Sequence, residues 1–165
     1  MRRRQAMALL CGAVLAAARP GHAAVGAVGI AVADFDYTDS SGEAIDQSAA
    51  HRARIATFAT LLRQNLRQRD YRVIRPDCAA ASCTASEMAP AQLIAAARQA
   101  GARYLLYGGI RKMSTLVQWG EVQLLDLDRE QLVLRRTVTF RGDTDEAFRR
   151  AADFVGDTVN GAIAR

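Results

Sequence analysis

YLLYGGIRKMSTLVQWGEVQLLDLDREQLVLRRTVTFR, residues 104–141, is the stretch that decides the fold. It divides into three apolar-rich runs: YLLYGGI within 103–112, LVQWGEVQLLDL at 116–127, and LVLRRTVTFR at 132–141. The second run alternates, with Val117, Trp119 and Glu121 on one side and Gln118, Gly120 and Val122 on the other. The third alternates through Leu132, Leu134, Val138 and Phe140. A period of two is the mark of a strand with one buried face. The link Asp128–Gln131 is the size of a hairpin turn. Three consecutive strands with such links make an antiparallel meander.

On the carboxyl side, Gly142-Asp143-Thr144-Asp145-Glu146 opens a helix. Asp143 or Thr144 can cap it, and acids in its first turn suit the positive end of the helix dipole. Phe148, Ala152, Val155, Val159 and Ile163 give it one apolar stripe. On the amino side, Pro90–Gln99 reads as a helix with proline in its first turn and Gly101 just past its end. Tyr71–Ile74 is a short strand. Residues 47–69 form a helix with Ile55, Phe58, Leu62 and Leu66 on one stripe. Val28–Phe35 is an apolar, β-branched run expected to be a buried strand, and the polar stretch Tyr37–Asp46 is expected to be a loop. The order is β-α-β-α-β-β-β-α. Crossovers in the first half imply parallel pairing, and hairpins in the second imply antiparallel pairing. The fold class is therefore α/β (α+β): one mixed sheet with helices packed on it, a single domain over residues 24–165.

Residues 1–23 do not belong to that domain. Three arginines follow Met1, Ala6–Ala18 is apolar, Arg19-Pro20-Gly21 breaks the run, and Gly21-His22-Ala23 offers small residues for a cut after Ala23. This is the pattern of a secretory signal peptide, and the run is too short for a permanent membrane span. Cys11 follows Leu10 rather than a small residue and lies inside the run, which disfavours lipid attachment there. The mature form is expected to be periplasmic, with no membrane span. The chain has 22 basic and 17 acidic residues, a net charge of +5. Arg2, Arg3, Arg4 and Arg19 precede the cut and no acid does, so the remainder is nearly neutral. It lacks the basic footprint of a nucleic-acid binder.

Cys78 and Cys83 remain after the leader. In an oxidising compartment a close pair of this kind is expected to form a disulfide that pins its loop. Four carboxylates, Asp34, Asp36, Asp39 and Glu43, gather at and after the end of the first strand, where open α/β sheets usually bind ligands. They are the candidate ligands for a hard cation, although their spacing does not match an EF-hand loop. The plainer reading is a solvated acidic loop. His51 is the one histidine beyond the leader and is expected on the polar surface. Trp119 is expected in the core; facing out, it would be a contact residue. No catalytic set and no cofactor motif is read from the spacing.

The segments AVADFD (31–36), GARYLLYGGIRKMSTL (101–116), LLDLD (124–128) and FRGDTDEAFRRAADF (140–154) resemble a family of small exported proteobacterial proteins of uncharacterised function. The order of elements is similar to the amino-terminal domain of TolB. It also resembles the periplasmic domain of the curli-secretion lipoprotein family and the related penicillin-binding-protein activators. Neither the lipid anchor common in the curli-type proteins nor the β-propeller of TolB is expected from this sequence. The resemblance implies a non-enzymatic periplasmic accessory module whose partner is an envelope or periplasmic protein, and it carries over no catalytic residues. The alternative is a metal- or small-ligand-binding protein using the acidic loop.

Overall fold

The structure is a computed structural model and describes residues 27–165. The leader expected over residues 1–23 lies outside them. The elements are β1 (Gly29–Val32), β2 (Asp36–Asp39), α1 (Ser48–Arg67), β3 (Arg72–Ile74), α2 (Pro90–Gln99), β4 (Tyr104–Ser114), β5 (Val117–Asp126), β6 (Gln131–Arg141) and α3 (Asp145–Ile163). They build one mixed sheet in the order β3-β1-β4-β5-β6, with β2 also paired to β4. β1 runs parallel to both β3 and β4, and β4, β5 and β6 form the antiparallel meander.

Every residue of β1 is buried. Helices cover both faces of the sheet there, so the strand reads as a continuous apolar run without alternation. α1 and α3 lie on one face. Phe58, Leu62 and Leu66 of α1 meet Phe148, Ala152, Val155 and Val159 of α3 over Ile30, Val32, Leu106 and Leu124. α2 lies on the other face, where Leu93 and Ala97 close on Ala31, Leu105 and Leu127. Pro90 occupies the first turn of α2, and Gly101 follows its end with φ of 72°. Among the described residues no helix is long and apolar enough to cross a membrane.

The stretch after β1 differs from expectation. Residues 36–39 are not loop but a second strand on the same edge of β4. Val32 lies opposite Leu106 and Asp36 opposite Gly109, so four steps along this side match three along β4. The surplus residue falls in Ala33–Phe35 and breaks the pairing as a bulge does. Ala33 N–H still donates to Leu106 O at 2.9 Å, while Asp34 N–H turns to Cys83 O at 3.0 Å. β2 hides from sequence reading because its residues are polar and only half-buried or exposed.

Gly108 marks the closest approach within the sheet. A Cβ there would strike the Glu121 carbonyl oxygen and lie 3.1 Å from the Phe35 ring. Gly108→Ala is therefore expected to destabilise the fold by about 1–3 kcal/mol or more through overpacking. Urea unfolding of the variant against the parent checks this, and an unchanged midpoint would remove the close approach as a constraint.

Candidate functional site

Three places concentrate polar or reactive side chains: a sealed ionic centre, a cleft beside the disulfide loop, and the free edge of the sheet. The ionic centre forms where β4 ends between the amino ends of α1 and α3. Lys112, the chain's only lysine, takes an inward position in the alternation Tyr104, Leu106, Gly108, Ile110, Lys112 and is 1% exposed. Its Nζ lies 2.6 Å from Glu43 Oε2 and 2.9 Å from Asp143 Oδ2. His51 Nε2 is 3.0 Å from the same Asp143 oxygen, and Arg54 pairs with the other. Burial pushes the Lys112 pKa down, but hydrogen bonds to Glu43 and Asp143 outweigh it and hold it above the usual value. Burial pushes Asp143 up, yet Lys112, His51 and Arg54 together hold it below the usual carboxylate range. The arrangement ties β4, α1, α3 and the loop after β2 together.

His51 is thus not on the surface but 3% exposed, with its ring 4.8 Å from that of Tyr37. Asp143 does not cap α3. Thr144 does, accepting the Ala147 N–H at 3.2 Å. The signal that finds this centre in the sequence is Lys112 itself, a charge at a core-facing strand position that demands an acid partner. Its partners are 31 to 69 residues away along the chain in sequence terms that no local pattern connects.

The cleft lies at the carboxyl ends of β1 and β3 and has a volume of about 480 Å³. Asp34 enters it and is bound by Arg63 at 2.8 Å, Arg75 at 2.7 Å and the Cys83 N–H at 3.2 Å. Burial raises its pKa, but hydrogen bonds from Arg75, Arg63 and Cys83 prevail and hold it at about 2, against an ordinary 3.8. Cys78 and Cys83 are joined by a disulfide, with Cα atoms 5.7 Å apart. The loop they close therefore presents the Cys83 amide to Asp34.

The four candidate metal ligands do not converge. Asp34 is held by two arginines, and Asp36 accepts from the Ser86 hydroxyl. Asp39 binds Ser41, and Glu43 is engaged by Lys112 and Gln47. Among the described residues no three His, Cys, Asp or Glu side chains gather as a metal site. The physical reason is charge: each acid sits beside its own cation or donor, and β2 separates Asp36 from Asp39 along the sheet edge.

A depressed carboxylate pKa gives stability that is complete above the unfolded value and is lost as pH falls through the folded one. For Asp34 that window runs from 3.8 down to about 2. Melting temperature is expected to hold above pH 5 and fall below pH 4. Asp34→Asn is expected to flatten part of that fall; an identical acid profile for the variant would show that Asp34 contributes nothing.

The sheet ends in β3, 3 residues long, on one side and in β6, 11 residues long, on the other, so the long free edge belongs to β6. Gly142 N–H donates inward to Leu116 O at 2.9 Å. Antiparallel alternation then directs the peptide groups of Thr137, Thr139 and Arg141 outward, away from β5. Beside this edge runs a groove of about 270 Å³ against α3, lined by Val138, Phe140, Ala147, Ala151 and Phe154 with Arg141 and Arg150. Phe154 is 45% exposed. On the opposite face of the sheet Trp119 is 39% exposed rather than in the core, opposite Arg111 on β4 and Thr139 on β6. The alternation of β5 was legible, but which phase faces the larger core is set by α1 and α3.

A family model described as "Protein of unknown function (DUF2380)", designated DUF3280, matches residues 28–158. No curated protein matches the chain. TolB from Acinetobacter baumannii is similar in structure over 83% of this chain and 28% of its own, at 17% identity and a TM-score of 0.51. The chain thus spans little more than a quarter of that protein's length. A PelC dodecamer from Paraburkholderia phytofirmans is similar over 82% of this chain and 86% of its own, at 18% identity and a TM-score of 0.50. The hypothetical protein CT253 from Chlamydia trachomatis is similar over 84% of this chain and 99% of its own, at 9% identity and a TM-score of 0.56. At these identities the likeness is one of fold, and the likeness to TolB read from the order of elements is met at that level. The chain belongs to the DUF3280 family of proteins of unknown function.

Proposed function

We propose that this chain is a non-catalytic accessory module of the cell envelope, exported by the leader at residues 1–23 and acting in the periplasm through contacts with another envelope protein. The observation that carries the reading is the long free edge of β6 beside the exposed Phe154 of α3. An unpaired edge with an apolar neighbour is a surface suited to another chain. Among the described residues, His51, Asp143 and Lys112 are the cluster with catalytic residue types; Lys112 and His51 are buried, and their charges are met by one another and by Asp143. The fold shared with TolB supports the assignment to an envelope context.

The test is expression of the full chain with its leader and a carboxyl-terminal tag, followed by capture from native envelope extract. The protein recovered from the periplasmic fraction is expected to begin at Ala24 by intact mass. One envelope or periplasmic protein is expected to be enriched with it. Recovery of an uncut chain from the cytoplasm, or an empty capture, would overturn the reading.

A further inference from the structure

The groove between β6 and α3 is built for an occupant of definite chemistry. Its strand wall offers outward N–H and C=O groups at Thr137, Thr139 and Arg141, following the parity set by the Gly142 bond to Leu116. Its floor is apolar, with Val138 buried and Phe154 half-exposed. Its charge is positive. Arg141 and Arg150 line it, and Arg136 precedes Val138 on the helix-facing side of β6. Arg136 and Arg141 enter no ion pair among the described residues, and Arg150 meets only the exposed Glu146 at 3.2 Å. An exposed pair of that kind is weak and leaves the guanidinium free to engage another acid.

Arginines on an edge commonly guard it against pairing with its own kind. A second copy of β6 would set these cations against their like, which is unfavourable across a strand pair. The same cations attract a strand that carries acids. From these observations we infer that the groove receives an extended acidic segment of a partner protein, added as a further strand on β6. Apolar side chains at alternate positions of that segment seat against Phe154 and Val138, and the carboxylates between them point to the other face of the sheet, where Arg141 shares the side of Thr139. The inference rests on the accessory-module reading and specifies its surface and the chemistry of its partner.

The test titrates the full, leader-processed protein into a fluorescein-labelled peptide of about ten residues that alternates valine with aspartate or glutamate. The control peptide carries lysine at the charged positions. Fluorescence anisotropy is expected to show the acidic peptide binding about tenfold tighter or more, with affinity falling as salt rises. Binding is expected to slow amide exchange at Thr137, Thr139 and Arg141. Two variants keep the test independent of any folding defect. Thr139→Pro removes one outward donor at an edge position, where proline is tolerated, and Arg141→Glu reverses the charge on the face that the carboxylates meet. Each is expected to weaken the acidic peptide by about tenfold or more while the melting temperature stays close to the parent's.

Equal affinity for the two peptides, no binding, or binding that both variants leave unchanged would overturn the inference. So would a dimer in sedimentation that Thr139→Pro abolishes, since β6 would then pair with itself. If the Thr139→Pro chain still captures the same envelope partner as the parent, the β6 surface falls and the accessory reading stands. If the parent captures nothing, the accessory reading falls by its own test.

Discussion

Asp143→Ala should lower the stability of the fold by about 3–5 kcal/mol, the range for breaking a buried charged group by removing one partner. The carboxylate is met by Lys112 Nζ at 2.9 Å, by His51 Nε2 at 3.0 Å and by Arg54. Alanine leaves Lys112 with Glu43 as its one acidic partner, in a site that is 1% exposed. The cost comes from the stranded ammonium more than from the lost attraction. Lys112→Met made together with Asp143→Ala should therefore recover a large part of the loss. Urea unfolding of the two single variants and the double variant measures the coupling. Strict additivity of the two losses would mean that the centre does not act as a unit. Asp143→Asn, which keeps an acceptor oxygen, should fall between the parent and the alanine variant.

Phe148→Ala should cost about 3–5 kcal/mol as well, by a different route. The ring is 1% exposed and lies edge-on to Phe140 at 5.1 Å and to Phe58 at 6.3 Å. It joins α3 to α1 and to the sheet at one point, so its removal opens a cavity among three elements. Phe154, six positions on along the same helix, is 45% exposed and belongs to the groove. Phe154→Ser should change stability by no more than about 0.5 kcal/mol, as surface substitutions do. The contrast within one helix separates a residue that holds the fold from one that is available to a partner. Similar losses for both variants in thermal or urea unfolding would erase that distinction.

The meander was legible because its strands alternate against one covered face, and the stripes of α1 and α3 because each helix buries a single side. Pro90 and Gly101 bracketed α2 through local backbone chemistry. β2 was not legible. Its residues are polar, its pairing with β4 depends on one surplus residue in Ala33–Phe35, and no local period announces that shift. His51 and Asp143 were misplaced for a related cause. Each lies at the start of a helix, where sequence suggests a solvated polar residue or a cap. Burial comes from Lys112, which approaches from β4. The four acids after β1 looked like a cluster because they are close in sequence. In space they are divided among Arg63 and Arg75, Ser86, Ser41, and Lys112. Local pattern reports which side of an element faces inward; it cannot report which distant charge waits there.

The sole lysine offers one more use. Its ammonium is sealed beneath the helix ends and bound to Glu43 and Asp143. Amine-directed reagents applied to the native protein should therefore modify the chain's α-amino group and leave Lys112 untouched. Any second acylation then counts an opening of the region where β4, α1 and α3 meet. The chain carries its own chemical clock for that motion, readable by mass as one added label, with no engineered probe.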